Sequence, residues 1–306
     1  MATKRSMKKT VKKTVPKKQH TPDYYPVVKE TYLGDNTNGA FTGTHAGDAG
    51  QILSIVNRRL YRYGKLYQLK LDLDIPSTIA GEVVVEVFAL RNNWDTQRAY
   101  ALAKAIYDEA HADELKLGKG NLARWRDFRI ANGVSGAGVI DPVNYDNATL
   151  AIGVEDLGEH VSSTVDAGGT EKSFTWGNAG GTTISVPAEW TNAGRTAADP
   201  NVISTTAPYA GVNADKMSDI EQTNLGNDGN NPPYSSTSAN DLLTKVATLY
   251  FRPGAIGLSK LSTGFFDAPC GLFVVKVNQA LANGTLKLSA KSGDYKGVHA
   301  LSMSQE

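Results

Sequence analysis

Residues 65–73, KLYQLKLDL, alternate without a break: Leu69, Leu71 and Leu73 point one way, Gln68, Lys70 and Asp72 the other. A period of two describes a strand with one face in a core, and no helix can present those leucines together. The next apolar run, EVVVEVFALR (82–91), is strongly β-branched and reads as a more deeply buried strand. The intervening PSTIAG is too short for a parallel crossover, so the two runs read as an antiparallel hairpin. Regular strands return at 244–252 (TKVATLYFR), 272–278 (LFVVKVN) and 285–291 (TLKLSAK), with shorter candidates at 148–154, 172–176, 182–187 and 201–206. TPDYYPVVKETYL (21–33) reads as an extended lead-in, GDNTNGAFTGTHAGDAG (34–50) as a loop, and QILSIVN (51–57) as an apolar segment.

One stretch breaks the β pattern. From 95 to 117, Ala99, Ala103, Ile106, Tyr107 and Ala110 recur at helical spacing, with Asp95 placed as an N-cap and Gly118 as a stop. Eight or nine strands and a single helix do not alternate as a doubly wound fold requires. The expectation is an all-β chain: a single jelly roll, an antiparallel β-sandwich with one inserted amphipathic helix and long loops over about 155–241.

Charge divides the chain into two parts. The first twenty residues hold eight basic residues and no acid: Lys4, Arg5, Lys8, Lys9, Lys12, Lys13, Lys17 and Lys18. The whole chain has 32 basic and 31 acidic residues, so removing the arm leaves 24 against 31, a body near −7. Residues 1–21 have almost nothing large and apolar to bury against the entropy of ordering, and read as a disordered nucleic-acid-binding arm. Residues 22–306 are then the folded domain.

Other classes find little support. Cys270 is the only cysteine, which excludes an internal disulfide or a cysteine zinc site, and its apolar surroundings predict burial. No apolar run is long enough to span a membrane. The arm has no apolar stretch behind its charges, so it does not read as a secretory signal. His20, His45, His111, His160 and His299 are scattered without metal-ligand spacing and read as surface histidines. GVSGAGVI (133–140) lacks the spacing of a dinucleotide fingerprint, and no P-loop or G-x-S-x-G is present. NLGNDGNN (224–231) offers oxygens for calcium but lacks the terminal acidic ligand of an EF-hand loop. The expectation is a chain that is not an enzyme and uses no cofactor or metal.

Two clusters remain as candidate sites. NRRLYRYGKLYQLK (57–70) interleaves Arg58, Arg59, Arg62, Lys65 and Lys70 with Tyr61, Tyr63 and Tyr67. Guanidinium groups beside aromatic faces suit the phosphates and unstacked bases of a single strand. The same rings would equally serve as packing under the loops. RWRDFR (124–129) places Trp125 and Phe128 among Arg124, Arg126 and Arg129, either as a subunit-interface centre or as a local core beneath the helix.

The block RRLYRYGKLYQLKLDLD, then VEVFALRNNWDTQRAYALAKAIYDEA, then LARWRDFRI, resembles the capsid proteins of small circular Rep-encoding single-stranded DNA viruses of eukaryotes. The similar region is about residues 51–130, and the basic arm agrees with it. The arm carries seven lysines and one arginine, where many such arms are arginine-rich. The resemblance implies a jelly roll whose copies form an icosahedral shell around a single-stranded genome, with the arm inside. Its partners would be further copies of itself, the genome and host nuclear import receptors, since KKTVKKTVPKK is also similar to an import signal. It would locate to the virion and, during assembly, the host nucleus. A capsid of a small RNA virus, a cellular nucleic-acid-binding β-sandwich and an enzyme or lectin on the same scaffold are the competing readings.

Overall fold

A computed structural model describes residues 26–35, 41–75, 81–110, 112, 116, 127–133, 138–142, 163–165, 168–176, 183–186, 243–253, 260–281 and 285–303. Among them run β1 (Glu30–Asp35), β2 (Phe41–Asp48), α1 (Ala49–Asn57), β3 (Lys65–Asp74), β4 (Val83–Leu90) and α2 (Trp94–Ala110). The short strands β5 (Gly138–Pro142), β6 (Ser163–Val165), β7 (Glu171–Thr175) and β8 (Thr183–Ser185) follow. The chain ends with β9 (Leu243–Phe251), β10 (Lys260–Pro269), β11 (Leu272–Leu281), β12 (Thr285–Ala290), β13 (Ser292–Tyr295) and β14 (Ala300–Ser302).

Two antiparallel four-stranded sheets pack as a sandwich. One has the order β10-β3-β12-β1 and the other β2-β11-β4-β9, while β5 bridges β1 and β2. β14 continues along β3 beyond β12, and β6, β7 and β8 form a small separate sheet. The alternation in β3 is real: Tyr67, Leu69, Leu71 and Leu73 are buried between the sheets, and Gln68, Lys70 and Asp72 face outward.

The expected β3–β4 hairpin does not form. β3 pairs with β10, β12 and β14, whereas β4 pairs with β11 and β9 in the opposite sheet. Crossing between sheets lets each face bury the other, at roughly 25 cal/mol per Å² of apolar surface removed from water. Nor is β4 buried on both faces: Val83, Val85, Val87 and Ala89 enter the core, while Val84, Glu86 and Phe88 lie outward and half-buried.

Segment 34–50, expected as loop, contains β2, and QILSIVN, read only as an apolar segment, is the body of a second helix. Asp48 caps that helix, its Oδ1 accepting from the Gly50 and Gln51 amides at 2.9 and 3.2 Å, and Ile52, Leu53 and Ile55 are buried. β10, also missed, carries a register shift between Ser262 and Phe265, where Gly264 has φ of 70°. The strand candidates at 148–154 and 201–206 and the loop 224–231 lie outside the described residues.

α2 begins at Trp94. Its cap is Asn93, whose Oδ1 accepts from the Thr96 amide at 3.0 Å, so Asp95 sits inside the first turn instead. Ala99, Tyr100, Ala103 and Tyr107 form its buried face, and Ile106 is exposed. That face joins a second core with Phe128, Ile130, Phe174, Trp176 and the outward-facing Leu90 and Leu272 of β4 and β11. The second core closes the end of the sandwich where β10 turns into β11.

Gly47 on β2 shows how tightly the first core is filled. A Cβ built there would collide with Cζ of Phe273, a fully buried ring. Gly47→Ala should therefore destabilise the fold by about 1–3 kcal/mol through overpacking, read from thermal unfolding. An unchanged midpoint would show that Phe273 can turn aside.

Candidate nucleic-acid interface

Residues 58–64 join α1 to β3, and their course is set by the end of the helix. Arg58 takes the left-handed conformation at φ 51°, which stops α1 and turns the chain back. Ser54 Oγ then donates to the Gly50 carbonyl at 2.6 Å and accepts from the Tyr61 amide at 2.7 Å, pinning the segment against the helix.

The tyrosines point inward. Tyr61 and Tyr63 are 0% and 1% exposed. The Tyr61 hydroxyl donates to the Lys296 carbonyl at 3.0 Å, and its ring meets Tyr295 edge-on with centroids 6.1 Å apart. The Tyr67 hydroxyl donates to the Arg62 carbonyl at 2.6 Å, and burial pushes both hydroxyls above their ordinary pKa. Tyr63 lies under the Arg129 guanidinium, 5.1 Å from its ring centre. The expectation that Tyr61 and Tyr63 stack on bases is thus corrected: each ring is core, with no face left for a ligand.

The cations point the other way. Arg58 and Arg62 are exposed and Arg59 and Lys65 half-buried. The excursion after β12 brings a fifth cation from far along the chain. In the tight turn after β13, Lys296 and Gly297 both have positive φ, 49° and 88°. Lys296 Nζ there donates to the Leu60 carbonyl. Nζ of Lys65 and of Lys296 lie 4.8 and 5.5 Å from the centre of the Tyr295 ring, whose hydroxyl accepts from the Arg62 amide. Desolvation, then repulsion from Arg62 and Arg59, lowers the pKa of the Lys296 ammonium.

A carboxylate also lies within this group. Asp127, its side chain 8% exposed, accepts from Arg62 Nη1 at 2.9 Å and from the Tyr63 amide at 2.8 Å. Lys70 belongs elsewhere, paired with Asp72 on the outer face of β3. The sequence reading missed Lys296, Tyr295 and Asp127. The Lys-Gly pair of the turn was visible, but its partners lie about two hundred residues away.

The arm joins the body beside these cations. Asn57 clasps the backbone of Val28, its Oδ1 accepting from the Val28 amide at 2.8 Å and its Nδ2 donating to the Val28 carbonyl at 2.9 Å. Gly297 lies against the Val27 side chain, leaving no room for a Cβ. The arm cations Lys4, Arg5, Lys8, Lys9, Lys12, Lys13, Lys17 and Lys18 lie outside the described residues.

Of the expected interface residues, Arg124, Trp125 and Arg126 also lie outside them. Phe128 is corrected to the subunit's own core: it sits amid Tyr100, Tyr107 and Phe174, with ring centroids 5.1–5.6 Å away. Arg129 is likewise engaged within the chain, its Nη2 donating to Gln51 Oε1 at 2.8 Å and its Nε 3.3 Å from Asp48 Oδ2. His45 is buried on β2, contrary to the surface reading, and His299 is half-buried; His20, His111 and His160 lie outside the described residues.

The Asp48–Arg129 contact carries a pH signature. Burial raises the Asp48 pKa above its usual 3.8, against the lowering pull of Arg129 and the two capping amides. Below 3.8 both folded and unfolded chains hold the proton. As pH rises from 3.8 to the raised native value the unfolded chain ionises first, so stability falls, and above both values the loss is complete. Asp48→Asn keeps the capping oxygen and cannot ionise. Denaturant unfolding at pH 3.5 and 7 should show a smaller decline for this variant, whereas equal declines would mean that Arg129 fully offsets the burial.

Among the described residues no group of three or more His, Cys, Asp or Glu could hold a metal ion, and no helix is long and apolar enough to cross a membrane. Cys270 is buried, and desolvation pushes its thiol far above the reactive range. No protein-family model, characterised protein or solved structure matches this chain.

Proposed function

We propose that this chain is a viral capsid protein whose copies close into an icosahedral shell around a single-stranded nucleic acid. The order of the eight long strands carries the reading. Counted along the chain, one sheet takes the first, eighth, third and sixth, and the other the second, seventh, fourth and fifth. This order supports a jelly roll made of two Greek keys, an architecture that recurs in capsids. Six of the seven sequential pairs then cross from sheet to sheet, β3 to β4 among them, while β4 and β9 are neighbours in one sheet.

The charge division fits the same role. An arm of eight cations, entering beside a cationic patch, can neutralise packaged phosphate while a net-negative body keeps the outside soluble. The sequence resemblance favours a small circular single-stranded DNA virus over an RNA virus, with the virion as destination and the host nucleus as assembly site.

Negative-stain microscopy of the purified full chain tests the proposal. Closed shells of uniform diameter are expected. A monodisperse small species that retains nucleic acid would instead favour a cellular nucleic-acid-binding β-sandwich, a role for which the same patch would suffice.

A further inference from the structure

We propose that Arg59, Arg62, Lys65 and Lys296 form a phosphate track on the body. It would grip the phosphodiester backbone of a single strand beside the arm's attachment and make no contact with bases. The inference rests on the capsid reading for its ligand and adds how that ligand is held.

Three observations converge on it. Lys65 and Lys296, from segments some 230 residues apart in sequence, meet over one ring, Tyr295, whose hydroxyl accepts from the Arg62 amide, and Lys296 also donates to the Leu60 carbonyl next to Arg59. Among the described residues Asp127 is the carboxylate paired within the group, and both its oxygens are already bonded. Asp127 thus offsets Arg62, and among the described residues no carboxylate is paired with Arg59, Lys65 or Lys296, whose ammonium pKa is lowered by desolvation and then by the charges of Arg62 and Arg59. Holding like charges together costs free energy that a bound polyanion removes.

The second observation concerns the rings. Tyr61, Tyr63 and Tyr67 are buried, and the half-buried Tyr295 already has two ammonium groups against its ring. Among the described residues of the patch a base finds no free aromatic platform, so recognition falls to phosphate and is indifferent to sequence. The third is the Asn57 clasp on Val28, which fixes the arm's origin beside this patch so that one strand can run from arm to body.

The test uses the full chain carrying Arg59→Gln and Lys296→Gln, with oligodeoxythymidylate and an abasic strand of equal length as probes. Affinity is measured between about 50 and 200 mM salt. Two lost phosphate contacts should make the log–log salt slope shallower by about 1.4, equally for both probes. An Arg59→Lys, Lys296→Arg variant should restore the slope. Because Lys296 also bonds the Leu60 carbonyl, Arg59→Gln with Lys65→Gln provides a second variant that leaves that bond in place. Its slope should shift by the same amount. A slope unchanged in both variants overturns the track, as does a change seen with thymidylate but not with the abasic strand. Unchanged binding with altered sedimentation would also overturn it, making the patch a contact between copies. Shells with an indifferent slope would sink this proposal alone; a shallower slope without shells would sink the capsid reading alone.

Discussion

Deleting residues 2–20 should remove most nucleic-acid retention and leave the body folded. The eight arm cations can contribute a log–log salt slope of roughly −5 to −6 if each meets a phosphate of a single strand. Their loss should make the measured slope shallower by about that amount, leaving the weaker contribution of the body. The fold should survive because residues 2–20 carry almost nothing large and apolar to contribute to a core. The ratio of absorbance at 260 to 280 nm in the purified protein and its far-ultraviolet dichroism check the two halves. A truncated protein that copurifies with as much nucleic acid as the full chain would remove the arm as the electrostatic anchor.

Replacing Tyr61 and Tyr63 together by alanine should abolish folding or lower the melting temperature drastically. Truncating a buried aromatic side chain costs about 3–5 kcal/mol, and whole domains are stable by about 5–15 kcal/mol. The two residues are near neighbours and their losses need not add, but either alone takes a large share of that margin. Tyr61→Phe isolates the hydroxyl, which donates to the Lys296 carbonyl, and should cost only about 0.5–1.5 kcal/mol. If the double variant melts normally and binds single strands more weakly, the rings are reaching bases and their burial has been misjudged.

These tyrosines mark the limit of what the residues alone could disclose. Arg-Tyr interleaving suits stacking on bases and equally suits packing under a turn, and only the course after α1 decides between them. Strand β3 was legible because its pattern repeats from Tyr67 to Asp74, with nothing to interrupt the two faces over those eight residues. Strand β2 was not, because its glycines resemble loop. Gly47 is there because the Phe273 ring occupies the space a side chain would need. Helix α1 was missed for a related reason. Its apolar run is short and β-rich in composition, and the deciding signal is the single capping carboxylate of Asp48. The basic patch was half visible: Arg58, Arg59 and Arg62 are contiguous enough to attract notice, whereas Lys296 arrives only through tertiary structure.

The clasp between Asn57 and Val28 also determines how the body bears force. If the arm holds a polyanion that swells or is drawn outward, the pull reaches the body through the chain leading to Val28. The load first meets the two Asn57 bonds, then β1, which is laced on one side to β12 and on the other to β5. A pull along β1 strains those ladders in shear, so many bonds share the load at once instead of parting one after another. The same chain pulled sideways would unzip. The direction in which the arm leaves its anchor therefore sets the tension a subunit can withstand before its first strand is extracted.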